Sequence, residues 1–246
     1  MGSEMCIRDS PKIVGETGGK DFILAHKSAN PKQVSTAITR GAFEFQGQKC
    51  SAASRGYISN SLWSEVKKYL EDDLKSISMG SPENLENFVT SVIDEKSFDK
   101  ISSYIENAKS SKDAEIIIGG NYDKSKGYFI EPTVILTKDP NYVTMREEIF
   151  GPVLTMMPFD SEDEAIAIAN DTPYGLAAYI QTGNMERARR VAGRLRSGMV
   201  QVNGASRASG SPFGGYKQSG VGREGGFWGI EEFLEIKTIS GIVGSR

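Results

Sequence analysis

Phe43-Glu44-Phe45-Gln46-Gly47-Gln48-Lys49-Cys50-Ser51-Ala52 joins a predicted helix to a predicted strand. Upstream of it, apolar residues recur at roughly the 3.6-residue helical repeat, which predicts a helix over residues 31–45. Downstream, residues 55–59 favour a short strand. The stretch therefore places one cysteine in a glycine-containing turn between the two elements.

Cys50 is the candidate nucleophile of this turn. A thiol does covalent work as the thiolate, and a neighbouring cation such as Lys49 can lower its pKa from about 8.5 to ~3.5–7.5. Free backbone N–H groups at a turn act in the same direction. The alternative is a small buried structural residue, which is what most free cysteines are. The polar neighbours at 46–49 argue against that alternative.

A cysteine nucleophile needs a base or a charge partner, and in hydrolases this is usually a histidine. The sequence contains a single histidine, His26, at the end of a predicted strand, where a structural or solvent-facing role is expected. Glu16 lies between a β-branched run and Gly18-Gly19, where the backbone can turn sharply and approach another segment. It is the candidate partner of Cys50, with an ordinary turn glutamate as the alternative.

Strands and helices alternate along the rest of the chain. Helical spacing extends over 62–77, 98–108 and 185–196, and a capping box at 161–164 opens another helix. Strand-like runs are predicted at 115–118, 127–136, 154–159, 175–181 and 199–202. This alternation predicts an α/β fold with a doubly wound, mostly parallel sheet.

Composition favours a soluble enzyme. The 246 residues are 38% hydrophobic and 25% charged with a net charge of -3, enough for one large or two small domains. The mixed charges argue against nucleic acid, and the apolar runs are too short for a membrane span or a signal peptide. A cytoplasmic location is expected, with Cys6 and Cys50 reduced. No residue is assigned to a metal.

Four segments resemble signature segments of the aldehyde dehydrogenase superfamily, in the family's order. They are Glu16-Thr17-Gly18-Gly19-Lys20, Gly47-Gln48-Lys49-Cys50, Glu147-Glu148-Ile149-Phe150-Gly151-Pro152-Val153 and Pro212-Phe213-Gly214-Gly215-Tyr216-Lys217-Gln218-Ser219-Gly220. Any one of them alone would be a weak signal. Four in order identify the chain as resembling the family from about residue 11 to its C-terminus.

The resemblance divides the chain into three parts. Residues 1–10 have no counterpart in the family and are interpreted as a tag or an artefact. Residues 11–230 correspond to the catalytic domain, and 231–246 to an oligomerisation strand and tail, which implies a homo-oligomer. In the family, a dinucleotide-binding region precedes the Glu-x-Gly-Gly segment. We therefore expect the chain to lack most of that region and to be inactive alone.

The family's chemistry assigns roles to individual residues. By resemblance, Cys50 attacks an aldehyde carbon, and Glu16 activates the water that hydrolyses the thioester to a carboxylic acid. Glu148 would bond the nicotinamide ribose of NAD or NADP, Phe150 would pack beside the ring, and Phe213 would line the aldehyde pocket. The alternatives are a structural turn at the Glu148 segment and core packing for both phenylalanines.

Two subclasses are represented in the chain. The segments around Glu16 and Cys50 resemble the 1-pyrroline-5-carboxylate dehydrogenases of proline breakdown, which oxidise L-glutamate γ-semialdehyde. There, Ser51 would bind the substrate carboxylate, aided by the loop Gly204-Ala205-Ser206. Residues 202–224 instead resemble general aldehyde dehydrogenases, so another aldehyde is the alternative substrate.

Two other classes of function stay open. A Cys-Glu-Lys amidase of the nitrilase type would use Cys50, Glu16 and a lysine such as Lys20 without a nucleotide. A non-catalytic fragment would fold or associate and turn nothing over. For the tail, the β-branched and aromatic run at 232–239 predicts a strand that pairs with another subunit.

Overall fold

The computed structural model describes residues 12–241, so the head at 1–10 and Cys6 lie outside the described residues. The helices are α1 (Pro31–Phe43), α2 (Trp63–Ser76), α3 (Glu95–Ser110), α4 (Val143–Arg146), α5 (Glu162–Asn170), α6 (Met185–Ala192) and α7 (Gly226–Glu231). The strands are β1 (Gly15–Glu16), β2 (Asp21–Ala25), β3 (Ala53–Ser59), β4 (Ala114–Ile118), β5 (Tyr122–Asp123), β6 (Phe129–Ile130), β7 (Thr133–Thr137), β8 (Val153–Phe159), β9 (Ala177–Gln181), β10 (Met199–Val202) and β11 (Gly220–Val221). None of these helices is long and apolar enough to cross a membrane.

Seven strands form one sheet in the order β10-β9-β2-β3-β8-β7-β4. Neighbouring strands are parallel except for β4, which runs antiparallel to β7 at one edge. The short strands β5 and β6 pair with each other on the connection between β4 and β7. The predicted α/β fold with a mostly parallel sheet is confirmed.

Helices cover both faces of the sheet, because each presents an apolar stripe toward it. On one face, Ile38 of α1 and Leu70 of α2 belong to the core. On the other face, Ile101 and Ile105 of α3 and Ile166 of α5 belong to a second core cluster. Each such side chain contributes about 1.5–3 kcal/mol when fully buried. These two cores fix the sheet, and with it the loops at its edges.

The candidate functional segments lie at the amino ends of the parallel strands. Cys50 comes shortly before β3, Glu16 before β2 and Glu148 before β8. Open α/β sheets usually bind ligands beyond the carboxyl ends of their strands. Here the glycine-containing turns are on the loops that precede the strands. The candidate site therefore lies beyond the amino ends of the strands.

One predicted helix is shorter in the structure than the sequence pattern indicated. The helix expected over 185–196 ends as α6 at Ala192. Asn170 bonds the chain just beyond it, since its amide donates to the Arg194 carbonyl and accepts from the Arg196 N–H. These two bonds compete with continued helix and turn the chain toward β10.

The tail is not a strand in the single chain. Helix α7 includes the predicted domain boundary at 230–231, and no strand follows it up to residue 241, the last that the structure describes. The tail is exposed: the exposed fraction is 83% for Phe233 and 97% for Ile236. Pairing of residues 232–239 with another subunit therefore stays a prediction.

Candidate active site

The turn that carries Cys50 has an unusual backbone. After α1, a short 3-10 segment spans Glu44–Gly47, within which Phe45 and Gln46 adopt positive φ angles of 55° and 57°. Gly47 follows with φ 65°, and a Cβ added to it would lie 2.4 Å from the Gly151 carbonyl oxygen. Consecutive left-handed residues cost energy, so neighbouring groups must hold this turn in place.

Two glutamine side chains of the turn bond the segment before α3. The Gln48 oxygen accepts the Ile93 N–H at 2.9 Å. The Gln46 side chain, oriented so that both ends of its amide are satisfied, accepts the Thr90 N–H at 2.7 Å. These contacts were not predictable from the sequence, because the segment around residue 90 has no periodic pattern.

Glu16 is held opposite the turn by a two-stranded ribbon. Strand β1 pairs with β11, with Glu16 opposite Gly220, and Thr17 bonds the Ser219 and Gln218 carbonyls. The Cys50 thiol donates to Glu16 Oε1 with an Sγ to oxygen distance of 3.4 Å. The structure therefore brings the candidate nucleophile and the candidate base together, although they are far apart in sequence.

The Cys50 thiol is not activated in the way that its neighbours predicted. Burial, followed by the hydrogen bond and the charge of Glu16, raises the pKa of the thiol to about 11. The Lys49 ammonium does not compensate, because it pairs with Glu44 at 2.7 Å. The expected lowering of the pKa by Lys49 is therefore wrong for this chain. The N–H of Ser51 favours the thiolate, but it is the smallest of these influences.

The turn at Glu147–Phe150 forms a wall beside Cys50. Glu148 Oε1 accepts the Gly19 N–H at 2.9 Å. Its other oxygen lies against Gly18, where an added Cβ would be only 2.1 Å away. Phe150 adopts φ 61° and is 43% exposed. Gly18 therefore makes room for the Glu148 carboxylate, whereas a Cβ on Gly19 would lie 2.5 Å from the Cys50 carbonyl oxygen.

The residues expected at the cofactor fit that group. Within residues 12–241, no donor reaches Glu148 Oε2, so this oxygen retains acceptor capacity for sugar hydroxyls. Phe150 presents an exposed ring face. Both side chains line a cleft with Cys50 whose volume is about 10 Å³, roughly the minimum that one water molecule needs. The described residues thus supply one wall of a site and do not enclose a ligand.

The expected substrate residues are more dispersed. Ser51 adjoins Cys50, and its carbonyl accepts the Tyr179 hydroxyl at 2.7 Å. The loop Gly204-Ala205-Ser206 is exposed and lines none of the Cys50 cleft. Gly204 and Tyr179 instead line a separate cavity of about 660 Å³ beside α1. Binding of the substrate by this loop therefore stays a prediction.

Phe213 approaches the site through the C-terminal ribbon. It exchanges two backbone hydrogen bonds with Glu224, on the hairpin that includes β11 and pairs with Glu16. The guanidinium of Arg207 lies over its ring, 5.0 Å from the centroid. Phe213 is therefore tied to the Glu16 segment, but it does not line the Cys50 cleft.

Buried charges behind the site were not predicted. Lys20, Asp21 and Arg55 are each at most 2% exposed. Arg55 donates twice to the Lys20 carbonyl, and burial lowers the pKa of the Lys20 amine to about 7. Lys20 packs with Arg55 and Tyr174 and is not among the residues that line the Cys50 cleft. This placement does not fit the Cys-Glu-Lys amidase alternative, which needs the amine beside Cys50.

Similar proteins agree with this arrangement. The chain is 52% identical over 173 residues to the mitochondrial delta-1-pyrroline-5-carboxylate dehydrogenase of Dictyostelium discoideum, covering 69% of the chain and 31% of that protein. The Danio rerio enzyme of the same name is 43% identical over 223 residues, covering 87% of the chain and 40% of that protein. The chain thus spans less than half the length of these relatives.

Solved structures show the same fold. The NAD⁺ complex of an aldehyde dehydrogenase from Bacillus cereus superposes with a TM-score of 0.89 at 32% identity, over 95% of this chain and 48% of that one. Betaine aldehyde dehydrogenase from Staphylococcus aureus in complex with NAD⁺ superposes with a TM-score of 0.86 at 36% identity. The match covers 94% of this chain and 47% of that one. The profile of the Aldehyde dehydrogenase family matches residues 3–239. With nearly its whole length matched and its Cys-Glu pair assembled, this chain belongs to the aldehyde dehydrogenase family.

Proposed function

We propose that this chain is the catalytic part of an NAD(P)-dependent aldehyde dehydrogenase that oxidises an aldehyde to a carboxylic acid. The observation that carries the proposal is the hydrogen bond from the Cys50 thiol to Glu16, 3.4 Å long. It lies beside the wall formed by Glu148 and Phe150. A nucleophile, a proton acceptor and cofactor contacts are the parts that this reaction needs.

In the proposed reaction, Cys50 is the nucleophile and Glu16 is the general base. The Cys50 thiol releases its proton to solvent, and the thiolate sulfur bonds to the aldehyde carbon. The developing oxyanion is stabilised by backbone N–H groups such as that of Ser51. The bound nicotinamide supplies the hydride acceptor. Glu16 then removes a proton from the water that attacks the thioester, which releases the acid and restores the thiol.

We propose L-glutamate γ-semialdehyde as the substrate. Support comes from the two relatives named as delta-1-pyrroline-5-carboxylate dehydrogenases and from Ser51, placed directly after the nucleophile. A general aldehyde is the second candidate, supported by the similarity of the chain to betaine aldehyde dehydrogenase. Both 1-pyrroline-5-carboxylate relatives are named as mitochondrial, whereas the sequence led us to expect a cytoplasmic location.

An activated ester tests the Cys50–Glu16 pair without a cofactor, because attack on the ester gives the same thioester. With p-nitrophenyl acetate, the unmodified chain should release nitrophenol in a burst and then turn over slowly. Glu16→Gln should keep the burst and lose most of the later turnover, on the order of 10²-fold. Cys50→Ser should lose both phases.

The matched control is Glu186→Gln, an exposed glutamate on α6. It should behave as the unmodified chain does. A steady-state rate in Glu16→Gln equal to that of the control would remove Glu16 from the mechanism. A burst that survives Cys50→Ser would remove Cys50, and the absence of any burst in the unmodified chain would favour the non-catalytic fragment.

Protection of the thiol distinguishes the two candidate substrates. Glutamate semialdehyde should slow alkylation of Cys50 by iodoacetamide more than betaine aldehyde does, because only the former carries a carboxylate for Ser51. Ser51→Ala should abolish this difference while leaving alkylation without aldehyde unchanged. Equal protection by both aldehydes would favour the general substrate class.

A further inference from the structure

We propose that Lys100 and Tyr104 of α3 are positioning residues for the Glu147–Phe150 turn and, through it, for the backbone beside Cys50. Neither residue belongs to the four family-like segments, and neither contacts Cys50 or Glu16. The link from this turn to a cofactor rests on the proposed function, whereas the link to Cys50 rests on contacts within the chain.

Two side chains of α3, one helical turn apart, bond the turn at consecutive residues. The Lys100 ammonium donates to the Glu148 carbonyl at 2.9 Å. The Tyr104 hydroxyl donates to the Glu147 carboxylate at 2.5 Å. Residues four apart lie on the same face of a helix, so a single face of α3 makes both hydrogen bonds to the turn.

Packing adds a third point on the same side. Ile101 lies between the two polar residues in sequence and against Gly151, where an added Cβ would be 2.5 Å from its side chain. The turn needs this support because Phe150, with φ 61°, has a backbone conformation that side chains disfavour. Such strain persists only where the surrounding structure holds it.

The Glu147–Phe150 turn is connected to Cys50 through Gly19. Glu148 Oε1 accepts the Gly19 N–H, and Gly19 packs closely on the Cys50 carbonyl, 2.5 Å from where a Cβ would lie. A shift of Glu148 therefore releases the Gly19 segment, which continues directly from Glu16. Release of Glu16 from Cys50 would remove one of the causes that raise the thiol pKa.

The same helix supplies matched controls at its other end. Lys109 pairs with Glu106 at 2.8 Å, and the Tyr122 hydroxyl bonds the same carboxylate at 2.8 Å. Tyr122→Phe and Lys109→Met therefore remove the same chemical groups from α3 contacts that do not reach the turn. The test variants are Tyr104→Phe, Lys100→Met and their combination.

Amide hydrogen exchange of Gly19 reports whether its N–H remains bonded to Glu148, and the measurement does not depend on catalytic turnover. In Tyr104→Phe combined with Lys100→Met, its protection should fall about tenfold, the equivalent of one lost hydrogen bond. Alkylation of Cys50 near neutral pH should become several-fold faster. Lys100→Arg, which retains a donor, should restore most of the protection lost in Lys100→Met. The two controls should change neither quantity.

Unchanged Gly19 exchange in the double variant would overturn the proposal, as would equal changes in the controls. If the double variant does not fold, Tyr104→Phe alone decides, because it removes one oxygen atom and leaves the ring packing intact. Absence of ester turnover in the unmodified chain, together with faster Gly19 exchange in the double variant, would count against the proposed function and leave the positioning role standing.

Discussion

The amine of Lys20 is completely buried and has no hydrogen-bond partner within residues 12–241. Burial lowers its pKa from 10.5 to about 7, and the nearby Arg55 charge acts in the same direction. Between these two pH values the folded chain binds fewer protons than the unfolded chain. The free energy of unfolding therefore rises with pH across this window, and below about pH 7 the full cost of the buried charge is present.

Lys20→Met should consequently stabilise the chain at pH 6 by about 1–4 kcal/mol, because it replaces a buried ammonium with an apolar side chain of similar length. The gain should shrink steadily toward pH 10. Urea unfolding at several pH values measures it, with the exposed Lys68→Met expected to stay within about 0.5 kcal/mol throughout. A gain for Lys20→Met that does not depend on pH would contradict the assigned protonation.

Sequence reasoning located Cys50 and Glu16 but not their electrostatics. The pairing of Lys49 with Glu44 depends on the left-handed backbone at Phe45 and Gln46, which no local pattern encodes. The burial of Lys20 is equally invisible, since a lysine beside glycines usually lies at the surface. The proximity of Cys50 and Glu16 was thus predictable from the motifs, whereas the environment of each side chain was not.

Among the elements, the nucleophile turn depends most on one glycine. Gly47→Ala places a methyl group 2.4 Å from the Gly151 carbonyl at a positive φ of 65°. We expect a loss of about 2–4 kcal/mol, since close contact and backbone strain add. Gly210→Ala is the matched control, because Gly210 has φ 82° and open space around its Cα. It should cost about 1 kcal/mol, the strain alone.

Chemical denaturation of both variants gives the comparison. Equal losses would show that the contact with Gly151 relaxes freely and that the two turns are not packed tightly together. A loss confined to Gly47→Ala that leaves Cys50 alkylation unchanged would show that the turn is stiff but does not position the thiol.

Helices and strands were predictable from periodicity to the extent that local bonds define them. The helix before Cys50 was expected over 31–45 and spans Pro31–Phe43. Its end differs because Phe45 and Gln46 leave the helical region in favour of contacts to residues 90–93. The early end of α6 likewise reflects Asn170, which is distant in sequence. Boundaries set by such distant partners have no local signal.

For the whole molecule, strand order was not predictable, because β2 pairs with β9 from much later in the chain. The tail also acts at this scale. It exposes Phe233 and Ile236, and β10 at the sheet edge is half-buried. An exposed apolar segment and a sheet edge favour association with a second copy.

Ile236→Lys should therefore weaken self-association of the chain, measured by sedimentation over a range of concentrations. Leu85→Lys is the matched control, since Leu85 is 95% exposed and Ile236 is 97% exposed. The control should associate as the unmodified chain does. Strong amide protection of residues 233–239 in a verified monomer would show that the tail is satisfied internally and would contradict the prediction.

The ribbon that holds Glu16 also dictates when the reactive pair can form during synthesis. Thr17 bonds Gln218, 201 positions later, and Asp21 bonds Ala177, 156 positions later. A ribosome releases residues in order, and contacts of such separation form slowly. The helix and turn that carry Cys50 can assemble early. Glu16 is synthesised even earlier, but it is held in place only after residues 218–221 have been made. A nascent chain therefore displays its thiol long before it has a base.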